Sequence, residues 1–200
     1  MASTLMPVTR ALLVSCVGVF AVQKLGGDAL LTQHFALWPI GNGLYAPPLR
    51  WWQLVSYAFL HGSFMHLAFN MFALYLFGSE IERLLGTQRY LTYYFVCVVG
   101  AAVAQLTIGY LAHWYPVATV GASGGIFGLL LAFGMAYPQR RLMLLFPPIP
   151  IRAWLFVTLY GLLELVLGVT GTTAGVAHFA HLGGMAAGFL LILYWRRLHA

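Results

Sequence analysis

The sequence predicts an all-α membrane protein in which six transmembrane helices form one domain over residues 1–200. Hydrophobic residues make up 62% of the chain and charged residues only 7%, too few charges for the surface of a soluble globular protein. No Asp, Glu, Lys or Arg occurs between Arg89 and Arg140. About 20 apolar residues cross a bilayer as a helix, so that stretch holds two spans, divided near residues 113–116. The predicted spans lie near residues 11–25, 52–77, 90–111, 122–137, 151–169 and 176–195.

The first predicted span has an alternative interpretation. Residues 11–22, after Arg10, have the length of the hydrophobic region of a secretory signal peptide. We favour a retained span, because a membrane bundle follows it and because an even number of spans places both termini on one side. The segment from Asp28 to Arg50, with Phe35, Trp38 and Tyr45, is expected to lie at the membrane interface beside the bundle.

The second predicted span contains two polar residues in the stretch "HGSFMHLAFN". His66 and Asn70 are four residues apart, so both side chains lie on one face of a helix. Polar groups at membrane depth are costly, which makes them functional candidates. The alternative is that the two side chains only bond to each other or to a loop carbonyl.

The third span and the first carry the two cysteines of the chain. Cys97 and Cys16 lie in apolar sequence without a Cys-rich or Cys/His spacing, so we interpret both as packing residues. The seven histidines include no H-E-x-x-H pair, and Asp28 is the only aspartate. We therefore expect no metal and no cofactor, and neither a metalloprotease nor an aspartyl protease.

The fourth span begins in "GASGG", where Gly121–Gly125 fits the G-x-S-x-G pattern around Ser123. In a soluble hydrolase this pattern needs a strand before the serine and a helix after it. Six apolar spans without a strand pattern exclude that class. Two interpretations then stay open: a nucleophile, or a small residue in a helix-packing face with Gly124 and Gly128, which have G-x-x-x-G spacing.

The fifth and sixth spans contain three further candidates. Glu164 is expected to be structural, as a neutral or loop-bonded carboxyl near the outer end of its span. His181 shares a helix face with Gly184 and Gly188, where the sixth helix can approach the fourth most closely. His178 lies at the edge of that face and is expected to meet water or a loop carbonyl.

The basic residues indicate orientation. With six spans, eight of the ten Lys and Arg residues fall on one side, and only Lys24 and Arg50 fall on the other. The positive-inside rule then places both termini in the cytoplasm. The net charge of +6 reflects this topology, and because the arginines are scattered over short loops we expect no nucleic-acid partner.

This topology places four polar side chains at one shallow depth below the outer surface. They are Ser123, His181, His66 and Asn70. A hydroxyl nucleophile, an imidazole base and two hydrogen-bond donors are the groups that acyl transfer requires. Helix packing alone does not require all four polar side chains to lie at one depth.

The motifs "HGSFMHLAFN", "IERLLG", "GASGG" and "AHLGG" resemble, in this order, those of the rhomboid family of intramembrane serine proteases. The match extends from Trp51 to Gly188 and includes the six-span layout. The resemblance implies a rhomboid-like bundle whose active site opens to the extracytoplasmic side. It implies an endopeptidase that cleaves transmembrane helices of other proteins in the lipid bilayer.

The resemblance also implies roles for individual residues. Ser123 corresponds to the nucleophile and His181 to the general base, as a dyad without an acidic third member. His66 and Asn70 correspond to the oxyanion site, together with the Ser123 N–H. Supporting positions are Gly121 as the first glycine of G-x-S-G, Gly124, Phe127, Gly184 and Gly188, with Glu82 and Gly86 in a structural turn.

Two positions depart from the family pattern. Gln53 stands where an arginine often anchors the first outer loop, and Phe127 stands where a tyrosine often packs on the base. Without an acidic partner, close helix packing is expected to orient the His181 ring.

Partners and location follow from the same resemblance. The expected substrates are single-span membrane proteins with weak helix formers near the cut, and the expected location is a bacterial inner membrane. Two other classes use a similar bundle: a catalytically inactive rhomboid-like chaperone, and a channel or transporter with a polar core. Retention of Ser123 and His181 favours the protease.

Overall fold

Helices account for nearly all regular structure in the computed structural model, which describes residues 5–40, 47–113, 117–144, 147–171 and 176–198. The all-α prediction is confirmed, apart from one short antiparallel hairpin that it did not include. The helices are α1 Pro7–Val22, α2 Asp28–Phe35, α3 Gln53–Ser56, α4 Phe64–Ala73, α5 Ser79–Leu85, α6 Thr87–Leu111, α7 Ser123–Ala136, α8 Ala153–Thr170 and α9 His178–Arg197. The hairpin joins β1 Arg141–Met143 to β2 Pro150–Arg152, between α7 and α8.

Five helical segments in the described part of the chain are long and apolar enough to cross a membrane. They are Pro7–Phe35, Phe64–Leu85, Thr87–Leu111, Ala153–Thr170 and His178–Arg197. Helix α7 is apolar but has only 14 residues, about 21 Å of helix, which is shorter than a bilayer core of about 30 Å. Most of α7 is buried by its neighbours, so the non-helical backbone before it can lie within the protein. Residues 114–116, expected to separate the third and fourth spans, lie outside the described ranges.

The first span starts earlier than expected and does not end at residue 25. Helix α1 begins at Pro7, a residue suited to the first turn because its missing N–H needs no partner. At Leu25 and Gly26 the backbone leaves helical geometry, and α2 then continues to Phe35. The N-terminal part of the expected interfacial segment is therefore helical, while Tyr45 lies outside the described residues.

The second span is also displaced from the predicted residues 52–77. Short helices occupy Gln53–Ser56 and Tyr57–Phe59, and the long helix starts only after Ser63, whose side chain accepts a hydrogen bond from the His66 N–H. It continues through one π-helical turn, Leu74–Gly78, into α5. The hydrophobic pattern missed this start because the residues before Ser63 also include several apolar ones, although much of that segment packs inside the protein.

Close packing of small residues brings α7 against α9. A Cβ atom on Gly184 would overlap the carbonyl of Gly124, as the expected glycine face requires. A Cβ atom placed on Gly128 would lie 3.2 Å from the carbonyl oxygen of Gly184. Gly128 also packs on Cys97. Gly188 instead contacts the Tyr93 hydroxyl, so the glycine face of α9 contacts both α7 and α6.

Glu82 links the start of α1 to α5. Its buried carboxylate accepts hydrogen bonds from the Val8 N–H (2.9 Å), the Thr9 N–H (2.8 Å) and the Thr9 hydroxyl (2.8 Å). A negative charge at a helix N-terminus is stabilised by the unpaired N–H groups there. The turn after Glu82 ends at Gly86, whose φ of +76° favours glycine.

We expect Glu82→Ala to destabilise the fold strongly. Two buried donors of Thr9 and the part-buried Val8 N–H lose their acceptor, which should lower the free energy of unfolding by about 3 kcal/mol. The measurement is reversible unfolding in mixed micelles. Glu80→Ala is the matched control, because Glu80 pairs with Arg83 and Arg140 at the surface and should change stability by less than about 1 kcal/mol. Equal losses of unfolding free energy in the two variants would contradict the stabilising role of the buried Glu82 carboxylate.

Candidate active site

Ser123 occupies the first position of α7, and several contacts fix the loop before it. The backbone of Thr119 pairs with Leu37 in both directions, at 3.0 and 2.9 Å. The Gly121 N–H donates to the Tyr57 carbonyl at 2.9 Å, and the Tyr57 hydroxyl donates to the Val98 carbonyl at 2.8 Å. Gly121 has a φ of +124°, which a residue with a Cβ rarely adopts. The loop therefore presents Ser123 at a defined position at the helix N-terminus.

His181 lies directly against Ser123. Its Nε2 atom is 2.8 Å from the Ser123 Oγ, although α7 and α9 are far apart in sequence. The Phe127 ring stacks on the imidazole with a centroid distance of 4.2 Å and an interplanar angle of 6°. The stacking expected of Phe127 is thus present without a hydroxyl group. The two residues are brought together as the sequence predicted.

The other imidazole nitrogen of His181 contacts a carboxylate. Its Nδ1 atom lies 2.8 Å from Glu164 Oε2, and the Nδ1 atom of His178 lies 2.7 Å from the same oxygen. All three side chains are buried. Ser123, His181 and Glu164 therefore form a continuous chain of contacts from the hydroxyl to the carboxylate.

This arrangement corrects three expectations. Among the described residues Glu164 bonds to His178 and His181 of α9 and not to a loop, and the His181 imidazole has an acidic neighbour, in contrast to the isolated dyad that the resemblance implied. His178 is buried and bonded to Glu164, so it does not lie at a water-exposed edge of the contact. The chain order Ser123, Glu164, His181 was the one sequence signal for the acidic partner.

His66 and Asn70 approach the serine from α4. A Cβ atom placed on Gly121 would lie 2.7 Å from both Cε1 and Nε2 of His66 and 3.8 Å from the Ser123 Oγ. The Asn70 Nδ2 atom donates to the His66 carbonyl at 2.8 Å, and an amide group has a second N–H besides this one. Both side chains line the same cavity as Ser123 and His181. The Ser123 N–H is also free of an intrahelical partner, because it is in the first turn of α7.

The cavity is large and mostly apolar, with a volume of about 2010 Å³. The four site residues described above line one part of it, and the charged residues Glu80, Arg140 and Arg141 line another. Its walls come from α4 and α8, with Phe69 and Phe72 on one side and Leu159 and Leu163 on the other. These four wall residues are exposed in the isolated chain, so the cavity adjoins an exposed apolar surface of α4 and α8.

Gln53 takes over an anchoring function in the outer loop. Its buried side chain donates through Nε2 to the His34 carbonyl at 3.2 Å and accepts from the Arg50 N–H at 3.2 Å. The Trp52 indole N–H donates to the same His34 carbonyl at 2.9 Å. With glutamine in place of arginine at position 53, this loop is still bonded to the end of α2.

Glu164, His178 and His181 also offer three ligand atoms that lie within 4.8 Å of one another. Contacts of 2.7 and 2.8 Å are hydrogen-bond lengths. Tetrahedral zinc with bonds of about 2.0 Å would separate its ligand atoms by about 3.3 Å. The geometry of these three groups therefore suits shared protons better than a metal ion.

Comparison with known proteins identifies the family of this chain. Residues 48–198 match the family model of the rhomboid domain. The chain is 30% identical over 145 residues to rhomboid protein 1, mitochondrial, of Saccharomyces cerevisiae, covering 68% of this chain and 40% of the yeast protein. It is 27% identical over 193 residues to rhomboid protease GlpG of Yersinia pestis, covering 94% of this chain and 62% of that protein.

A similar relationship holds for rhomboid protease GlpG of Serratia proteamaculans, with 27% identity over 197 residues, 96% of this chain and 64% of that protein. The chain thus spans less than two thirds of the length of these relatives, while the matched family model covers most of the chain. The chain belongs to the rhomboid family.

Proposed function

We propose that this chain is an intramembrane serine endopeptidase that hydrolyses peptide bonds in or near transmembrane helices of other membrane proteins. The observation that carries the proposal is the 2.8 Å contact between Ser123 Oγ and His181 Nε2 in a cavity that adjoins an exposed apolar surface. A serine hydroxyl is a weak nucleophile unless a base removes its proton. The relatives named as proteases support the same activity.

In the proposed reaction, Ser123 Oγ attacks the carbonyl carbon of the scissile bond while its proton passes to His181 Nε2. The carbonyl π electrons move to the oxygen, which becomes an oxyanion. The C–N bond then breaks, and the leaving amine takes the proton from His181. Water, activated by His181, hydrolyses the acyl-enzyme and restores the Ser123 hydroxyl.

The oxyanion is proposed to be bound by three donors: the Ser123 N–H, the His66 side chain and the Asn70 amide. Donors that are already in place cost no reorganisation when charge develops on the oxygen. The contact of the His66 imidazole with Gly121 places it beside the serine and supports this role.

The cavity walls suggest the class of substrate. Apolar side chains of α4 and α8 suit a transmembrane helix that arrives from the lipid, and a single-span protein can approach without steric conflict from other spans. A helix exposes its peptide carbonyl only after local unwinding, which lipid does not permit but a polar cavity does. Substrates with Gly, Pro or another weak helix former near the cut are therefore favoured.

We further propose a bacterial inner membrane as the location, with both termini in the cytoplasm and the site open to the extracytoplasmic side. Ser123 lies at one end of α7, whereas Arg140 follows the other end and Arg141 and Arg152 pair in the hairpin there. The eight-to-two division of basic residues supports the cytoplasmic location of that arginine end.

The proposal is tested in proteoliposomes that contain the purified chain and a tagged single-span protein with Gly and Pro in its helix. We expect two fragments whose masses place the cut within or next to that helix, and no fragments after treatment with a fluorophosphonate. The matched substrate replaces Gly and Pro with Leu and Ala and should be cleaved more slowly. Absence of cleavage across a panel of such substrates would favour a chaperone or transport function.

Removing either oxyanion donor should impair the chemical step more than binding. We expect His66→Ala and Asn70→Ala to lower kcat by about 100-fold each, because each loses a donor to charge that develops in the transition state. KM should change by less than about threefold. Steady-state kinetics in detergent micelles provide both constants, and unchanged kcat in both folded variants would remove the pair from the mechanism.

A further inference from the structure

We propose that Glu164 is a positioning residue that orients His181 and stabilises its protonated form, so that Ser123, His181 and Glu164 act together as a triad. The inference rests on the proposed proteolytic function. It differs from a Ser123–His181 dyad, in which helix packing alone would orient the His181 ring.

The contacts define one connected chain of proton positions. Ser123 Oγ contacts His181 Nε2 at 2.8 Å, and His181 Nδ1 contacts Glu164 Oε2 at 2.8 Å. The two ring nitrogens therefore have different partners on opposite sides of the imidazole. A group that holds one nitrogen determines the tautomer and the direction of the other.

A carboxylate only accepts hydrogen bonds, so the Nδ1 atom of His181 must carry the proton in this contact. The neutral imidazole then has its lone pair on Nε2, directed at the Ser123 hydroxyl. This is the tautomer that can remove the serine proton. The opposite tautomer would place a proton between Nε2 and the nucleophile and would block the step.

His178 holds the carboxylate in place. Its Nδ1 atom donates to the same Oε2 at 2.7 Å, and it lies three residues before His181 on one side of α9. Glu164, on α8, is therefore bonded to two histidines of α9 that lie about one helical turn apart. This second donor partly offsets the cost of burying the carboxylate and limits its rotation.

Charge provides a second effect beyond orientation. When His181 accepts the serine proton it becomes a cation in a buried site, and the Glu164 carboxylate beside it stabilises that cation. Among the described residues, the other titratable groups that face this cluster are His178 and His66, with Tyr160 one turn before Glu164 on α8. Glu164 is the only acidic residue among them.

The first test compares Glu164→Gln with the wild-type chain. Gln keeps the size of the side chain and removes its charge, so kcat should fall by about 100-fold or more while KM stays within about threefold. Glu82→Gln is the matched control, because Glu82 is the other buried carboxylate and contacts no histidine in the described bonds. That control should lower stability and leave kcat within about twofold.

A purely structural role for Glu164 predicts a different pattern. Glu164→Gln would then unfold more readily than the wild-type chain but would keep its kcat below the unfolding temperature. Wild-type kcat in folded Glu164→Gln would overturn the proposal. If Glu164→Gln does not fold, Glu164→Asp is compared instead. This variant retains the charge and should retain measurable cleavage. Complete loss of cleavage in folded Glu164→Asp would contradict the role of the charge.

A second readout needs neither a substrate nor a variant that folds. ¹⁵N NMR of histidine-labelled wild-type protein in micelles reports which ring nitrogen carries the proton. We expect Nδ1–H for both His178 and His181. Predominant Nε2–H for His181 would overturn the inference even in an active protease. Failure of the wild-type chain to cleave any substrate would instead refute the proposed function and would leave the NMR result to decide the hydrogen bond.

Discussion

Replacing Ser123 with alanine should lower the rate of substrate cleavage by about 10⁴-fold or more, because no other hydroxyl can take the place of the attacking oxygen. The hydroxyl is directed at His181 Nε2 from 2.8 Å, and its removal leaves the surrounding helices unchanged. Substrate binding and the unfolding temperature should stay close to those of the wild-type chain. The measurement is single-turnover cleavage in proteoliposomes.

Ser15→Ala is the matched control for this prediction. Ser15 is exposed on α1 in the isolated chain, and its substitution should leave the cleavage rate unchanged. If Ser123→Ala retains more than about one tenth of the wild-type rate, a different group performs the attack.

The second large effect concerns the base. His181→Ala should lower kcat by about 10³-fold or more, since the serine proton then has no acceptor at hydrogen-bond distance. His178→Ala removes an imidazole one turn away that contacts Glu164 and not the serine. We expect a loss of about 10-fold for that variant, because Glu164 is held less firmly but His181 stays in place.

The two histidine variants must be compared in folded protein, since both side chains are buried. Thermal unfolding in micelles provides that check. Loss of all cleavage in His178→Ala together with near wild-type kcat in His181→Ala would contradict the assignment of the base.

The contact between Ser123 and His181 could be predicted from the sequence because each signal is local. Ser123 lies at the start of an apolar run among glycines, and His181 shares a helix face with Gly184. Helical periodicity then determines which side chains point the same way. The observed contacts of Gly184 with Gly124, and of Ser123 with His181, agree with this prediction.

The role of Glu164 could not be predicted in the same way. A membrane helix is apolar toward lipid and toward protein, so the sequence of α8 does not distinguish its two faces. Buried Ala153 and Val157 precede Glu164 at helical spacing, but exposed Leu162 and Leu163 are just as hydrophobic. The rotation of α8 about its axis is determined by packing, which only the structure describes.

Helix boundaries were missed for a related reason. The segment before Ser63 also contains apolar residues, and hydropathy does not separate a partly buried segment of short helices from a span. At the other end, Glu82, which the resemblance assigned to a structural turn, lies within α5, and its carboxylate is buried against the first turn of α1. Polar partners from distant parts of the chain decide both cases.

Site mapping of a fluorophosphonate adduct shows directly whether Ser123 is the nucleophile. The wild-type chain is reconstituted in lipid, treated with the reagent, digested and examined by mass spectrometry. We expect a single phosphonylated residue, Ser123, and a labelling rate at least about 100-fold lower in His181→Ala, because the reagent reacts only with an activated hydroxyl. An adduct on another residue, or equal labelling without His181, would contradict this assignment.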